Sequence, residues 1–299
     1  MTELVQILVS GLTVGSVLAL VALGYNLVFS TTRVVNFAQG SMLVVGGYLA
    51  YVFVDAGLPV WGALAATVAA SVVIGVAIQV VGLRPLGSFD PTLSFGWIIT
   101  TFALGRIAVD VVRITIGSEA RTIPPLVESV AGWQKSLVAG VPILPYDVLL
   151  VVGALVLMVG LELVMRRTML GRAMRAVAQD PEAASYQGID PQKVTMLAFA
   201  LAGGLAAVGA VLIAPRLSIR LQTGVVLGLQ ALIAAVLGGL GSIRGAIVGG
   251  YAIGFTSAVV RTISSRGSDY EPIVIFVLFL LVLVVRPTGL VGTPAPEKV

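Results

Sequence analysis

The feature that most limits the fold of this chain is its series of apolar runs long enough to cross a bilayer. They fall at about 7–29, 34–55, 59–83, 92–115, 146–166, 193–214, 224–242, 245–263 and 272–287. A helical span needs ~20 predominantly apolar residues to cross ~30 Å of hydrocarbon. Hydrophobic residues make up 58% of the chain and charged residues 11%. Soluble domains carry roughly 45–50% and about 25%. Lipid is therefore the solvent for most of the surface, and the backbone must satisfy its own hydrogen bonds as helix. The expectation is an all-α polytopic membrane protein of about eight or nine transmembrane helices, forming one domain over residues 1–299. The second and seventh runs are rich in glycine or polar residues at one end, so either could be a re-entrant or broken helix.

Basic residues orient the runs. Arg166, Arg167, Arg172, Arg175 and Lys193 cluster between the fifth and sixth runs, which assigns that segment to the cytoplasm. Arg33, Arg84–Pro91, Gly241–Arg244 and Arg286–Val299 then share that side. Gly117–Pro145, the longest external loop, and Pro215–Gly224 face outward. Pro124, Pro125 and Trp133 suggest an ordered loop or a short interfacial helix, with a plain solvated connector as the alternative. The first run follows Met1–Gln6 without a basic start and is too long for a signal-peptide core, so no cleavable signal is expected.

Residues that would carry chemistry are scarce. The chain has no cysteine and no histidine, which removes thiol chemistry and the usual general base near neutral pH. No phosphate-cradling Gly-x-x-x-x-Gly-Lys-Ser/Thr loop occurs, and no Gly-x-Ser-x-Gly or His-Glu-x-x-His. The chain is not expected to be an enzyme, to bind a metal or to bind a cofactor itself. Lys and Arg are scattered, which argues against nucleic acid. Any energised work would draw on a partner.

Local signals mark a few segments. Asp180 can cap a helix that Pro181 opens, that Glu182, Ala183 and Ala184 continue, and that Gly188 ends. Such a bounded helix of ~two turns suits a docking knob, or is an ordinary capped loop. Asn36, Phe37, Gln39 and Ser41 sit at the head of the second run as a pathway or gate element, or as a helix start at the interface. Gly241, Gly245 and Gly249 recur every four residues, which suits one helix face for close packing or a helix break. Arg106, Asp110 and Arg113 have helical spacing in the fourth run, as does Glu162 with Arg166 in the fifth, and both sets are expected to be structural ion pairs. Val45–Tyr48 and Val248–Tyr251 repeat Val-Gly-Gly-Tyr, a faint internal echo.

Four segments together resemble a known family. They are Arg33–Gly40 with Gly46–Tyr48, Glu182–Ala184 with Gly188, Leu237–Ile243 with Gly245–Ala246, and Arg286–Gly292. In this order they are similar to the branched-chain amino acid permeases of ABC importers, nearer the LivH-type subunit, with urea and short-amide permeases as near relatives. The resemblance implies a transmembrane permease in the bacterial cytoplasmic (inner) membrane with a cytoplasmic coupling segment at about 167–192, in which Asp180, Pro181, Glu182, Ala183, Ala184 and Gly188 dock on an ATPase. It implies a LivM-type second permease, two ATPases that use ATP and Mg, and an external solute-binding protein that delivers branched-chain or similar hydrophobic amino acids. Urea or short amides are the alternative cargo. An autonomous channel or facilitator is the alternative of a different class.

Overall fold

The structure, a computed structural model, describes residues 2–86, 94–126, 136–138, 141–263 and 267–291. The helices are α1 (Thr2–Thr32), α2 (Gln39–Asp55), α3 (Val60–Ala77), α4 (Ser94–Thr115), α5 (Pro145–Arg167), α6 (Met169–Gln179), α7 (Pro181–Tyr186), α8 (Pro191–Ile213), α9 (Thr223–Gly238), α10 (Ile243–Ile263) and α11 (Gly267–Val285). A π-type stretch, Ile78–Leu83, prolongs α3. Among the described residues, 7 helices are long and apolar enough to cross a membrane. The two membrane-directed helices that fall short are α2, with 17 residues, and α9, with 16. They occupy the second and seventh runs, the two whose ends carry polar residues or glycine.

Local chemistry explains the boundaries. Pro145 opens α5, whose Asp147 side chain accepts from the Leu144 N–H at 3.2 Å. The helix ends at Arg166 and Arg167, whose charge suits the negative end of the dipole. The run 34–55 becomes helical only at Gln39, because Arg33 at φ 58° ends α1 and the chain turns back through residues 34–38. The run 224–242 stops at Gly238, because Gly239 (φ 113°) and Gly241 (φ 82°) take backbone conformations closed to most side chains.

Small residues let these helices meet. Lipid is as apolar as the side chains, so close van der Waals fit replaces the hydrophobic effect as the main attraction. On α10, a Cβ at Gly250 would meet Ala19 Cα of α1 at 2.5 Å, and Gly254 lies on Gly15. On α8, Gly203 lies against Ser71 of α3 and Gly46 of α2 faces Ala207 Cα at 3.0 Å. Leu18, Leu20, Leu23, Tyr48 and Phe199 are among the largest fully buried side chains, so α1, α2 and α8 form the centre.

Polar links sort themselves to two ends. At one end Arg216 pairs with buried Asp147 at 3.1 Å and donates to Thr13 Oγ1 at 2.8 Å. There Tyr48 donates to Glu119 O at 2.8 Å, and Arg121 and Ile219 exchange backbone hydrogen bonds of 2.9 and 2.8 Å. At the other end Glu162 pairs with Arg166 at 3.0 Å and with Arg244 at 2.7 Å. Arg33, Arg166, Arg175 and Arg244 line one cavity at this second end, and Thr13 in the N-terminal half of α1 lies at the first. Within 117–145, where an ordered loop, a short interfacial helix or a solvated connector was expected, the described residues include a two-stranded hairpin of β1 (Ser136–Val138) and β2 (Val141–Ile143). Trp133 lies outside the described residues.

Candidate coupling and translocation sites

The segment between α5 and α8 stands out as a knob at the basic end. Asp180 Oδ1 accepts from the Glu182 and Ala183 N–H groups, both at 2.9 Å, and holds the first turn of α7. Gly188, at φ 81°, reverses the chain so that Ile189 N–H donates to Ala184 O at 3.0 Å. Asp190 then caps α8 through Gln192 and Lys193 N–H at 3.0 and 3.3 Å. Ala184 is buried and pins the knob, while Glu182 and Ala183 are exposed and Tyr186 is 84% exposed. A rigid, capped and outward-facing helix of this kind offers its surface at little entropic cost.

This knob is linked to the break before α2. Arg33, at the turn itself, donates from Nη2 to Ala178 O at the end of α6, at 2.9 Å. Beyond it the backbone is irregular, and its polar groups are met by protein. Asn36 Oδ1 accepts from Ala38 N–H at 3.1 Å, Asn36 O accepts from Gln39 N–H at 3.2 Å, and Phe37 N–H donates to Thr101 Oγ1 of α4 at 3.3 Å. Gln39 Nε2 donates to Ala202 O, midway along α8, at 3.0 Å, and the Gln39 amide lies on Gly24 of α1. The break therefore sits deep in the bundle. Asn36 and Gln39 are buried supports, whereas Phe37 is 37% exposed and Ser41 is half-buried. Asn36 Nδ2 and Gln39 Oε1 are buried without a partner among the described residues.

A second irregular segment faces the first. Gly40 in the first turn of α2 packs on Gly224 and Gly228 in the first turns of α9, with Gly228 Cα at 2.9 Å from a Cβ placed on Gly40. Two helix N-termini thus meet inside the bundle. At its other end α9 runs into the Gly239–Ser242 turn, which Asn26 of α1 holds. Asn26 Nδ2 donates to Gly239 O at 3.3 Å and Ser242 O at 2.8 Å, and its Oδ1 accepts from Gly241 N–H at 3.2 Å. Leu290 and Val291 N–H groups donate to Leu237 O and Gly238 O at 2.8 and 3.0 Å, so the C-terminal segment closes the open end of α9. Gly245 and Gly249 of α10 lie on Gly238 and Ala234 of α9, a close helix contact. Gly241 does not share that face. It lies in the turn before α10, and its positive φ rather than close packing explains the glycine.

The turn borders a cavity of about 660 Å³ at the basic end, lined by Asn26, Arg33, Glu162, Arg175, Ser242 and Arg244 among others. Nothing in the sequence marks Asn26, because one Asn in an apolar run carries no spacing signal. Only its three contacts across more than 200 positions reveal its role. Glu162 is a structural ion pair with Arg166, as its spacing suggested, and also reaches Arg244 of α10 at 2.7 Å, which no local pattern indicates. Among the described residues no group of three metal-ligating side chains comes together.

Membrane-crossing helices, irregular backbone buried at depth and an exposed, capped helix at the basic end define a polytopic α-helical membrane protein. The model for the permease component of branched-chain amino acid transport systems matches residues 7–283. The chain is 34% identical over 304 residues to the high-affinity branched-chain amino acid transport system permease protein BraD of Pseudomonas aeruginosa, covering 98% of this chain and 97% of that protein. It is 32% identical over 306 residues to LivH of Escherichia coli K12, of the same description, with coverage of 98% and 97%. The fructose import permease protein FruF of Bifidobacterium longum is 27% identical over 278 residues, covering 89% and 72%. No solved structure matches. The chain belongs to the branched-chain amino acid transport permease family.

Proposed function

We propose that this chain is one permease subunit of an ATP-driven importer in a bacterial cytoplasmic membrane. It forms part of the path for branched-chain or similar hydrophobic amino acids handed over by an external binding protein. ATP and Mg²⁺ are bound and used by two separate ATPase subunits, and a LivM-type permease completes the membrane pair. The observation that carries this reading is the connection from knob to path. The exposed α7 is joined through α6 and the Arg33–Ala178 hydrogen bond to the break before α2. Closure of an ATPase dimer against α7 would shift α6 and Arg33 together, as a rigid-body step that re-sets the buried break. The names of the relatives support the cargo class, and the fructose permease among them leaves room for a different cargo on the same scaffold.

The test is gentle affinity purification of the tagged chain, followed by ATPase assays on a panel of amino acids, urea and short amides presented with the binding protein. Co-purifying ATPases and a second permease, with hydrolysis stimulated by leucine, isoleucine or valine, are the expected result. Stimulation by urea or amides alone would reassign the cargo. A chain that purifies without partners and conducts solute by itself would overturn the reading.

A further inference from the structure

We infer that the groove between α4 and α9 is this subunit's wall of the solute path, and that Arg106, Asp110 and Arg113 bind the charged main-chain groups of a zwitterionic amino acid there. This rests on the amino-acid importer reading and adds the residues that would recognise the cargo.

Spacing alone suggests an ordinary ion pair, but position makes more of it. Arg106 lies near the middle of α4, a helix that crosses the membrane, and its side chain is 57% exposed. Arg113 is 53% exposed and Asp110 31%. Asp110 holds both, with Arg106 Nε and Nη2 at 3.1 Å and Arg113 Nη2 at 3.3 Å. Exposed charge at that depth is costly against lipid and is found facing protein or a water-filled cavity. The three residues continue the stripe of Phe95, Ile99 and Phe102 at three- and four-residue steps, so one face of α4 is apolar at its inner half and charged at its outer half.

A cavity of about 360 Å³ lies beside this face, lined by Arg106, Val109, Arg113, Gln222 and Val225 among others. Its far wall is the start of α9, at Gln222 and the exposed Val225, and the exposed Leu229 follows one turn on. Next to the cavity the first turn of α2 bridges the two helices, since Ala38 and Ser41 lie against Gly105 of α4, and Gly40 lies against Gly224 and Gly228 of α9. The exposed Phe37 belongs to the same turn. The groove thus joins a basic–acidic–basic strip to apolar walls. A zwitterionic amino acid presents the complement: its carboxylate exchanges for Asp110 on Arg106 or Arg113, its ammonium meets Asp110, and its apolar side chain meets Phe37, Val225 and Leu229. A neutral amide or urea would leave the strip unused.

The absence of cysteine makes the test direct. Val225→Cys and Phe102→Cys report on the groove, and Ile107→Cys on the neighbouring flank of α4. In the assembled complex in liposomes, a charged thiol reagent should modify the two groove cysteines, leucine delivered by the binding protein should slow both, and Ile107→Cys should stay inert. Unreactive groove cysteines, or reactivity equal at all three positions, would overturn the inference. In parallel, Arg106→Gln should lower leucine uptake roughly 10- to 100-fold, the loss of a charge-assisted hydrogen bond. It should also erase discrimination against leucine amide, with Arg106→Lys in between. Normal uptake and unchanged discrimination in Arg106→Gln would sink the inference alone. A wild-type complex that carries no amino acid would sink the functional reading with it.

Discussion

Asn26 offers the sharpest test of how the Gly239–Ser242 turn is held. Its carboxamide serves three backbone groups at 2.8–3.3 Å from a fully buried position on α1. Replacement by Ala removes all three bonds and leaves the Gly241 N–H without its acceptor. A buried polar group left unsatisfied costs ~1–3 kcal/mol. The Gly239 and Ser242 carbonyls each keep one backbone donor, Ser242 N–H at 3.2 Å and Ala246 N–H at 3.0 Å, so the Gly241 N–H bears most of that cost. Gly241 and Ser242 border the 660 Å³ cavity, where water can take over part of the bonding. The net loss for Asn26→Ala is therefore about 1–3 kcal/mol. Asn26→Asp keeps the size and the acceptor for Gly241 N–H but turns an oxygen toward two carbonyls and buries a charge. It should be less stable than Asn26→Ala. Denaturant or thermal unfolding of detergent-solubilised protein, followed by the fluorescence of its 3 tryptophans, measures the order. A purely space-filling role would make Asp milder than Ala, and that order would refute the hydrogen-bonding account.

The remaining predictions follow from the same contacts. Gly250→Val should destabilise by about 1–3 kcal/mol, because α1 backbone occupies the space, whereas Gly153→Val, with nothing near it, should be neutral in the same unfolding assay. Glu271→Ala removes the shared acceptor of Arg261, at 2.6 Å, and Gln230, at 3.2 Å, and should cost about 2 kcal/mol and loosen α11, read as faster proteolysis of the chain after α10. Glu182→Lys and Gly188→Val should leave membrane insertion intact but cut binding-protein-stimulated ATP hydrolysis and uptake. The first reverses charge on the exposed face of α7 and the second forces a β-branched residue to φ 81°. Full coupling in both variants would count against the knob.

Much of the architecture was legible in the chain because lipid imposes simple rules. A helix that crosses must be long and apolar, and Asp180, Pro181 and Asp190 carry local capping signals that need no tertiary context. The two short helices were flagged by the polar and glycine residues at the ends of their runs, since a continuous span has no use for them. What spacing could not supply was long-range partnership. Gly241, Gly245 and Gly249 fit one helical face on paper, but the helix does not begin until Ile243, and Gly241 serves a turn. Asn36 and Gln39, whose place suggested a pathway or gate element or a helix start, are buried and bonded to Ala38 N–H and Ala202 O, partners that spacing does not indicate. Arg106 and Asp110 pair as their spacing suggested, but their exposure near the middle of α4 depends on which face the bundle covers. Asn26 and Glu271 give no local signal because their partners lie far away in sequence or on other helices.

In the proposed importer this chain provides a path and its partners supply the energy. Uptake of labelled leucine into proteoliposomes tests it most directly, comparing this chain alone with the chain reconstituted beside a second permease, ATPases and binding protein. The account predicts no ATP-responsive uptake by the chain alone and concentrative uptake by the full assembly that stops when ATP is withheld. Uptake of leucine by the isolated chain, at the same rate with and without ATP, would contradict it.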